Sequence, residues 1–131
     1  IKYTSSKKES AMEIYNAVEE IRKEGKNSIA IITKTFKEAK GLEKDIKRYT
    51  DLEYTIIKGN EKSAPSTDVI IIPVYLTKGL EFDGTIIYNP LESVYENNLL
   101  NQRLLYVGLT RALHYEYIIA EGKLSQNIKT I

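Results

Sequence analysis

The sequence predicts an α/β domain of three layers, with helices on both faces of a mostly parallel sheet. Short, nearly uninterrupted apolar runs recur along the chain, as expected of strands buried on both faces. Segments with helical periodicity alternate with these runs, which is typical of parallel strands joined by right-handed crossovers. The chain has 131 residues, of which 42% are hydrophobic and 28% charged, so it is long enough for one domain with a substantial core.

The first half of the chain predicts two amphipathic helices around one buried strand. The first helix lies between Ser5 and Gly25, and its apolar positions are Met12, Ile14, Tyr15, Val18 and Ile21. The run 28–33 is short and apolar, and therefore predicts a strand. Thr33 or Thr35 is suited to cap the second helix, which is predicted from about Phe36 to Tyr49. The apolar face of that helix contains Ala39, Leu42, Ile46 and Tyr49.

The second half predicts four more strands and one helix. The run 69–74 is the most hydrophobic in the chain and is expected to be a central parallel strand, ending at Pro73 because proline has no N–H for the ladder. Gly59 to Asp68 is polar, contains glycine and proline, and predicts a loop. The other predicted strands are 54–57, 84–88 and 115–120, and the predicted helix is 99–113.

The predicted helix 99–113 carries an arginine on an apolar stripe. With about 100° per residue, Leu100, Leu104, Val107 and Arg111 lie within roughly 60° of one another. A guanidinium is always protonated and suits a carboxylate or phosphate, so Arg111 predicts an anion contact. The alternative is an arginine that complements the helix dipole or packs its aliphatic stem on the surface.

The loop after the predicted central strand contains a second candidate site, with glycines at 79 and 84 on either side of an acidic pair. Gly79 lets backbone N–H groups approach a ligand closely, and Glu81 has the chemistry to accept a hydrogen bond from a ribose hydroxyl. The alternative is a simple turn with a surface pair between Lys78 and Glu81. None of the seven glycines has the spacing of a phosphate-binding loop, so the chain is not expected to bind a triphosphate alone.

Composition excludes several classes of function. The net charge is only +1, so nucleic-acid contact must be local rather than driven by a basic field. The absence of cysteine and the single histidine, His114, exclude disulfide frameworks, thiolate metal sites and histidine clusters. No apolar run is long enough to predict a membrane span, and we expect a cytoplasmic protein. The first residue is Ile1, which suggests a piece of a longer protein.

Two segments together resemble a known family. The stretch KGLEFD at 78–83, followed 20 residues later by RLLYVGLTRA at 103–112, resembles motifs V and VI of the UvrD/Rep-like superfamily 1 DNA helicases. The strand at 28–33 with the elements after it is similar to the start of the second RecA-like domain in that family. The resemblance implies that 1–131 is such a domain, with a RecA-like fold of the P-loop NTPase type, motif V at 73–84 and motif VI at 103–112.

The resemblance also implies a role for the site residues. In the family, ATP binds between two RecA-like domains, and the first of these holds the phosphate loop and the acid that binds Mg²⁺. Arg111 is then similar to the arginine finger, while Gly79 and Glu81 resemble positions that approach the nucleotide. Arg103 either approaches the nucleotide too or pairs with an acidic residue of the first domain. No metal ligand is expected in this chain.

On the DNA side, the resemblance implies that Tyr75, Thr77 and Lys78 face single-stranded DNA. The family often has Thr and His where this chain has Pro73 and Tyr75, so Tyr75 either stacks on a base or packs under the loop. The family also usually has a large accessory subdomain before motif V, where this chain has only the loop 59–68.

The function implied is that of the C-terminal domain of an ATP-dependent DNA helicase, a hydrolase as part of its parent and inactive when isolated. The wording of 73–83 looks most like the helicase IV branch and its RNA-polymerase-associated relatives. The alternative is therefore an ATP-driven factor that remodels RNA polymerase without unwinding DNA.

Overall fold

The structure is a computed structural model that describes residues 1–130. Its strands pair into one six-stranded sheet in which all pairs are parallel, in the order β1-β6-β5-β2-β4-β3. This confirms the predicted α/β class. The elements in chain order are β1 (Lys2–Tyr3), α1 (Lys7–Lys23), β2 (Ile29–Thr33), α2 (Phe36–Tyr49), β3 (Thr55–Ile56), β4 (Val69–Pro73), a 3-10 turn (Val74–Leu76), β5 (Phe82–Tyr88), α3 (Leu99–Leu109), β6 (Ala112–Ala120) and α4 (Asn127–Thr130).

Helices α1 and α2 form where the sequence predicts them, because both have strong N-caps. The hydroxyl of Ser6 accepts a hydrogen bond from the backbone N–H of Glu9 at 3.1 Å, and Thr35 accepts one from Glu38 at 3.1 Å. Gly25 follows α1 with φ +77°, the left-handed conformation that ends many helices. Met12 is an exception to the predicted apolar face, since it is 43% exposed.

The two faces of the sheet are covered unequally. On one face, α1 and α2 pack over a large core, whereas the other face is covered by α3 and the 3-10 turn over a smaller one. The buried residues of the smaller core are Ala30, Ile32, Ile70, Ile72, Val74, Phe82 and Ile87. The layers are therefore the predicted three, but the second helical layer is thin.

As predicted, β4 is an interior strand of the parallel sheet, although it is not one of the two middle strands. β4 lies between β2 and the two-residue strand β3, so the central pair of the sheet is β5 and β2. The apolar content of a strand could not show whether it lies in the middle of the sheet or beside the middle pair, because every residue of β2 and of β4 is buried. β4 does end at Pro73, as predicted. The short elements β1 and α4 were not predicted, since neither contains a periodic pattern long enough to recognise.

Helix α3 ends four residues earlier than predicted, and Arg111 lies outside it. The Thr110 hydroxyl donates to the carbonyl oxygens of Tyr106 at 2.8 Å and Val107 at 3.1 Å. The next residues extend along the sheet instead, because the Phe82 N–H donates to the carbonyl of Arg111 at 2.9 Å. For the same reason β5 begins at Phe82 and β6 at Ala112, both before their predicted starts.

Only part of the predicted apolar stripe of α3 faces the sheet, since Leu104 packs against the smaller core. Leu100 is 68% exposed, and the buried residues of the helix are Asn101, Leu105 and Gly108. The sequence could not select this face, because α3 is apolar on most of its circumference. Gly108 shows why it packs inward: a Cβ atom there would lie 3.2 Å from Cγ2 of Val74, so the helix approaches the sheet closely at that point.

Candidate functional site

The loop between β4 and β5 runs from the edge of the sheet formed by the carboxyl ends of the strands to the edge formed by their amino ends. It does so because both strands run in the same direction. Tyr75 and Thr77 follow the carboxyl end of β4, whereas Glu81 comes just before the amino end of β5. Arg111 precedes β6 and lies beside this second part of the loop. The predicted site residues thus fall into two groups, one at each edge.

Arg111 contacts the loop directly. Its Nη1 donates to the carbonyl of Leu80 at 3.4 Å, which is long for a hydrogen bond, and its Nη2 donates to the Thr110 hydroxyl at 3.1 Å. Its Nε atom is buried and has no hydrogen-bond partner among the described residues. A buried N–H without a partner is costly, so this guanidinium is incompletely satisfied. An oxyanion placed beside it would complete its contacts.

Gly79 and Glu81 lie on either side of Leu80, the residue that Arg111 contacts. Gly79 has φ +82°, which L residues rarely adopt, and no atom lies within 4 Å of the position of a Cβ there. The Leu80 N–H donates to the Thr77 carbonyl at 2.9 Å, so this segment is a tight turn with open space over the glycine. Glu81 is exposed. The simpler interpretation of this loop was a turn with an ion pair between Lys78 and Glu81. Among the described residues, these two side chains do not form an ion pair.

Arg103 lies on the exposed face of α3. Leu99 and Tyr106 are on the same face at helical spacing and are 59% and 57% exposed. With Leu100 nearby, they form an apolar surface around an arginine that makes no ion pair among the described residues. This surface was not predicted from the sequence, although three large apolar residues on the side opposite Asn101 and Gly108 were the available signal.

The three residues expected near nucleic acid, which follow the carboxyl end of β4 in the chain, differ in accessibility. Tyr75 is 53% exposed, so it does not pack under the loop. Lys78 is also exposed. Thr77 is fully buried, and its hydroxyl donates to the carbonyl of Val74 at 2.7 Å. The side chain of Thr77 therefore orders the turn between Tyr75 and Lys78 and does not reach the surface itself.

A polar cluster that the sequence analysis missed surrounds Glu121, directly after β6. Its carboxylate accepts hydrogen bonds from Lys7 at 2.5 Å, Ser10 at 2.5 Å, Tyr88 at 2.8 Å and Asn89 at 3.1 Å. Burial raises the pKa of Glu121, but these hydrogen bonds lower it more, so the pKa is below its usual value. Polar residues at the ends of two neighbouring strands, Asn89 and Glu121, were the signal in the sequence.

Neither a metal cluster nor a membrane helix accompanies these sites. Among residues 1–130, no group of three or more His, Asp or Glu side chains is placed to hold a metal ion. No helix in this described part of the chain has the length and apolar character to cross a membrane.

Comparison with known proteins relates these segments to helicases. Residues 68–119 match the UvrD-like helicase C-terminal domain family. A similar solved structure is the C-terminal domain of a possible DNA helicase from Lactobacillus plantarum WCFS1, at 28% identity and a TM-score of 0.81, with 96% of this chain and 75% of that chain covered. No curated protein matches the chain. The matched segment 68–119 contains the loop with Gly79 and Glu81 as well as Arg103 and Arg111.

Proposed function

We propose that this chain is the second RecA-like domain of an ATP-dependent superfamily 1 DNA helicase and contributes one side of the ATP site. The first RecA-like domain of the same parent would supply the other side. The observation that carries the proposal is the contact between Arg111 and the loop 79–81 across 31 residues of chain. The two segments that resemble motifs V and VI thereby form one surface.

The residues at this surface fit a nucleotide. The unpartnered Nε of Arg111 calls for an anion, and the open turn at Gly79 leaves space for a ligand to approach the backbone. We assign Arg111 to the γ-phosphate as an arginine finger and Glu81 to the ribose. ATP would supply the phosphoryl group that is transferred to water, and Mg²⁺ would be held by the first domain.

The exposed face of α3 supports the pairing of two domains. Leu99, Leu100 and Tyr106 are large, apolar and more than half exposed, which is typical of a surface that a partner covers. Arg103 lies among them, where it would either reach the nucleotide or pair with an acidic residue of the first domain. Both roles need a second domain against this face.

We assign the other edge of the sheet to single-stranded DNA. Tyr75 offers an exposed ring and Lys78 an exposed charge, which together suit stacking with a base and contact with a phosphate. Thr77 would hold the turn between them through its bond to Val74. The loop 77–81 then connects the DNA edge directly to the ATP edge.

The test is Arg111→Ala in the full-length parent. An arginine finger acts mainly on charge that develops in the transition state, so kcat should fall by about 10³-fold or more while the affinity for ATP changes much less. The matched control is Arg48→Ala, which removes an exposed arginine of α2 that is distant from Arg111 in the sequence. It should leave kcat and the affinity for ATP unchanged. Equal losses of affinity and turnover would contradict the assignment.

The alternative function is an ATP-driven factor that remodels RNA polymerase without separating DNA strands. The same parent protein distinguishes the two, since a helicase converts duplex DNA to single strands in the presence of ATP. ATP hydrolysis without strand separation, together with release of bound RNA polymerase, would favour the alternative.

A further inference from the structure

The connection between β3 and β4 lacks the helix that normally covers a parallel sheet. Neighbouring parallel strands need a crossover of a dozen or more residues, and this is usually a helix. Here residues 57–68 join the two strands, and no helix lies among them. The other face of the sheet has two long helices, α1 and α2, but on this face α3 covers only part of the strands. The region over β3 and β4 is therefore left to a loop.

An apolar groove occupies the place of the missing helix. Its volume is about 630 Å³, and it lies between the loop and the strands. The border of the groove is more exposed than its floor. Leu80 on the border is 43% exposed, whereas Ile70 and Phe82 on the floor are nearly buried. At one side the loop packs on the 3-10 turn, where a Cβ atom at Gly59 would lie 3.2 Å from Cδ2 of Leu76. The main apolar residues that line the groove are Ile57, Pro65, Ile70, Ile72, Leu80 and Phe82.

The border of the groove is acidic. Glu61, Asp68 and Asp83 line it, and no lysine, arginine or histidine is among its described lining residues. The Glu61 carboxylate accepts the backbone N–H groups of Lys58 at 2.7 Å and Gly59 at 2.9 Å, which lower its pKa and keep it ionised. Asp83 accepts only one N–H, from Ser28 at 3.3 Å. The carboxylate of Glu61 therefore stays negatively charged at neutral pH.

We propose that this groove binds a cationic amphipathic helix of a partner protein. The apolar face of that helix would cover Ile57, Pro65 and Leu80, the lining residues that are still exposed or partly exposed. Lysine or arginine beside the apolar face would meet Glu61, Asp68 and Asp83, since opposite charges around an apolar centre favour one partner over others. This inference does not depend on the proposed ATP or DNA sites.

Leu80 connects the groove to the candidate nucleotide site. Its side chain lines the groove, whereas its backbone carbonyl accepts from Arg111. A helix bound in the groove would bury Leu80 and restrain the loop 79–81. Binding of the partner would therefore also restrain the carbonyl group that the Arg111 guanidinium contacts.

The test uses the 131-residue chain and a synthetic helical peptide with leucines at positions i, i+3, i+4 and i+7 and lysines beside them. A peptide with glutamates in place of the lysines is the control. We expect the cationic peptide to bind and to shift the methyl NMR signals of Ile57, Ile70 and Leu80, and the acidic peptide not to bind. Absence of binding by the cationic peptide, equal binding of both, or shifts confined to other methyl groups would overturn the proposal.

A charge-reversal pair tests the acidic border. Asp68→Lys should weaken binding of the cationic peptide by roughly threefold to tenfold, because it removes one attraction and adds one repulsion near the surface. Glu53→Lys makes the same change at an exposed position outside the groove and should have no effect. Equal losses in both variants would show attraction to net charge only and would contradict the groove as the site. Dimerisation of the chain without peptide, with the same methyl shifts, would contradict a partner protein as its occupant.

Discussion

Arg111 illustrates how far local pattern and tertiary structure can differ for one residue. Helical periodicity placed its side chain on a buried stripe of α3, but the helix ends at Leu109 and Arg111 begins the turn into β6. Its place beside Leu80 depends on the backbone bond from Phe82 to the Arg111 carbonyl, a contact between residues 29 apart in the chain. Periodicity selected Arg111 as a candidate anion contact, and sheet pairing determined which loop it meets.

Tyr75 allows a test of the DNA edge by one substitution. In the full-length parent, Tyr75→Ala should weaken binding of single-stranded DNA by about 1–3 kcal/mol, because one base loses its stacking partner. Basal ATP turnover should change little, since Arg111 and the phosphate loop are untouched. Fluorescence anisotropy with a labelled oligonucleotide measures the affinity.

Tyr75→Phe is the matched control, since it keeps the ring and should keep the affinity. A lower melting temperature with unchanged DNA affinity would show that Tyr75 only packs, contrary to its half-exposed ring.

At the level of elements, α2 contains a glycine whose replacement should stabilise the helix. Gly41 lies in the middle of this helix, is exposed, and has no atom within 4 Å of the position of a Cβ. Gly41→Ala should therefore raise the free energy of unfolding by about 0.5–1 kcal/mol, because alanine costs less backbone entropy in a helix. Urea denaturation of the isolated chain measures the change.

Gly108 in α3 is the contrasting position, since the same addition there meets the sheet. Gly108→Val should lower the free energy of unfolding by about 1–3 kcal/mol, because its side chain would be forced against Val74 and Ile32. An increase in stability for Gly108→Val would contradict the close packing of α3 on the sheet.

For the whole molecule, the proposed function makes the candidate site only half of an ATPase site. We expect the isolated 131-residue chain to release no more phosphate from ATP than buffer does, because it contains no phosphate-binding loop. A phosphate-release assay at increasing protein concentration measures this. Turnover that rises with concentration and disappears in Arg111→Ala would contradict the prediction.

The cluster around Glu121 joins α1 to the ends of β5 and β6 and predicts an acid-sensitive stability. Because the pKa of Glu121 is lowered on folding, its contribution is complete above its unfolded pKa and is lost as the pH falls through its folded pKa. Glu121→Gln should cost about 1–3 kcal/mol at neutral pH, since four donors then meet a neutral amide.

The difference in unfolding free energy between wild type and Glu121→Gln should shrink as the pH falls below about 4. Urea denaturation from pH 3 to pH 7 measures it, and the exposed Glu53→Gln is the control. A difference that stays constant with pH would show that the carboxylate charge contributes nothing to stability.

The sequence by itself determined the elements whose signals are local. Ser6 and Thr35 cap their helices with their own side chains, and the runs of β2 and β4 are apolar whatever they pair with. The class of fold follows from that alternation. The paired segments 78–83 and 103–112 likewise indicated a helicase-like domain. The match of residues 68–119 to the UvrD-like helicase C-terminal domain family agrees with that prediction.

Only the tertiary structure decided the order of the strands, the inward face of α3 and the meeting of Arg111 with Leu80. Each depends on contacts between residues that are distant in the chain, such as Gly108 against Val74. The free energy of such contacts cannot be read from the periodicity of a single segment. The uncovered groove over β3 and β4 has the same origin. A polar loop predicts that no helix is present, but only the packed sheet shows what that absence leaves exposed.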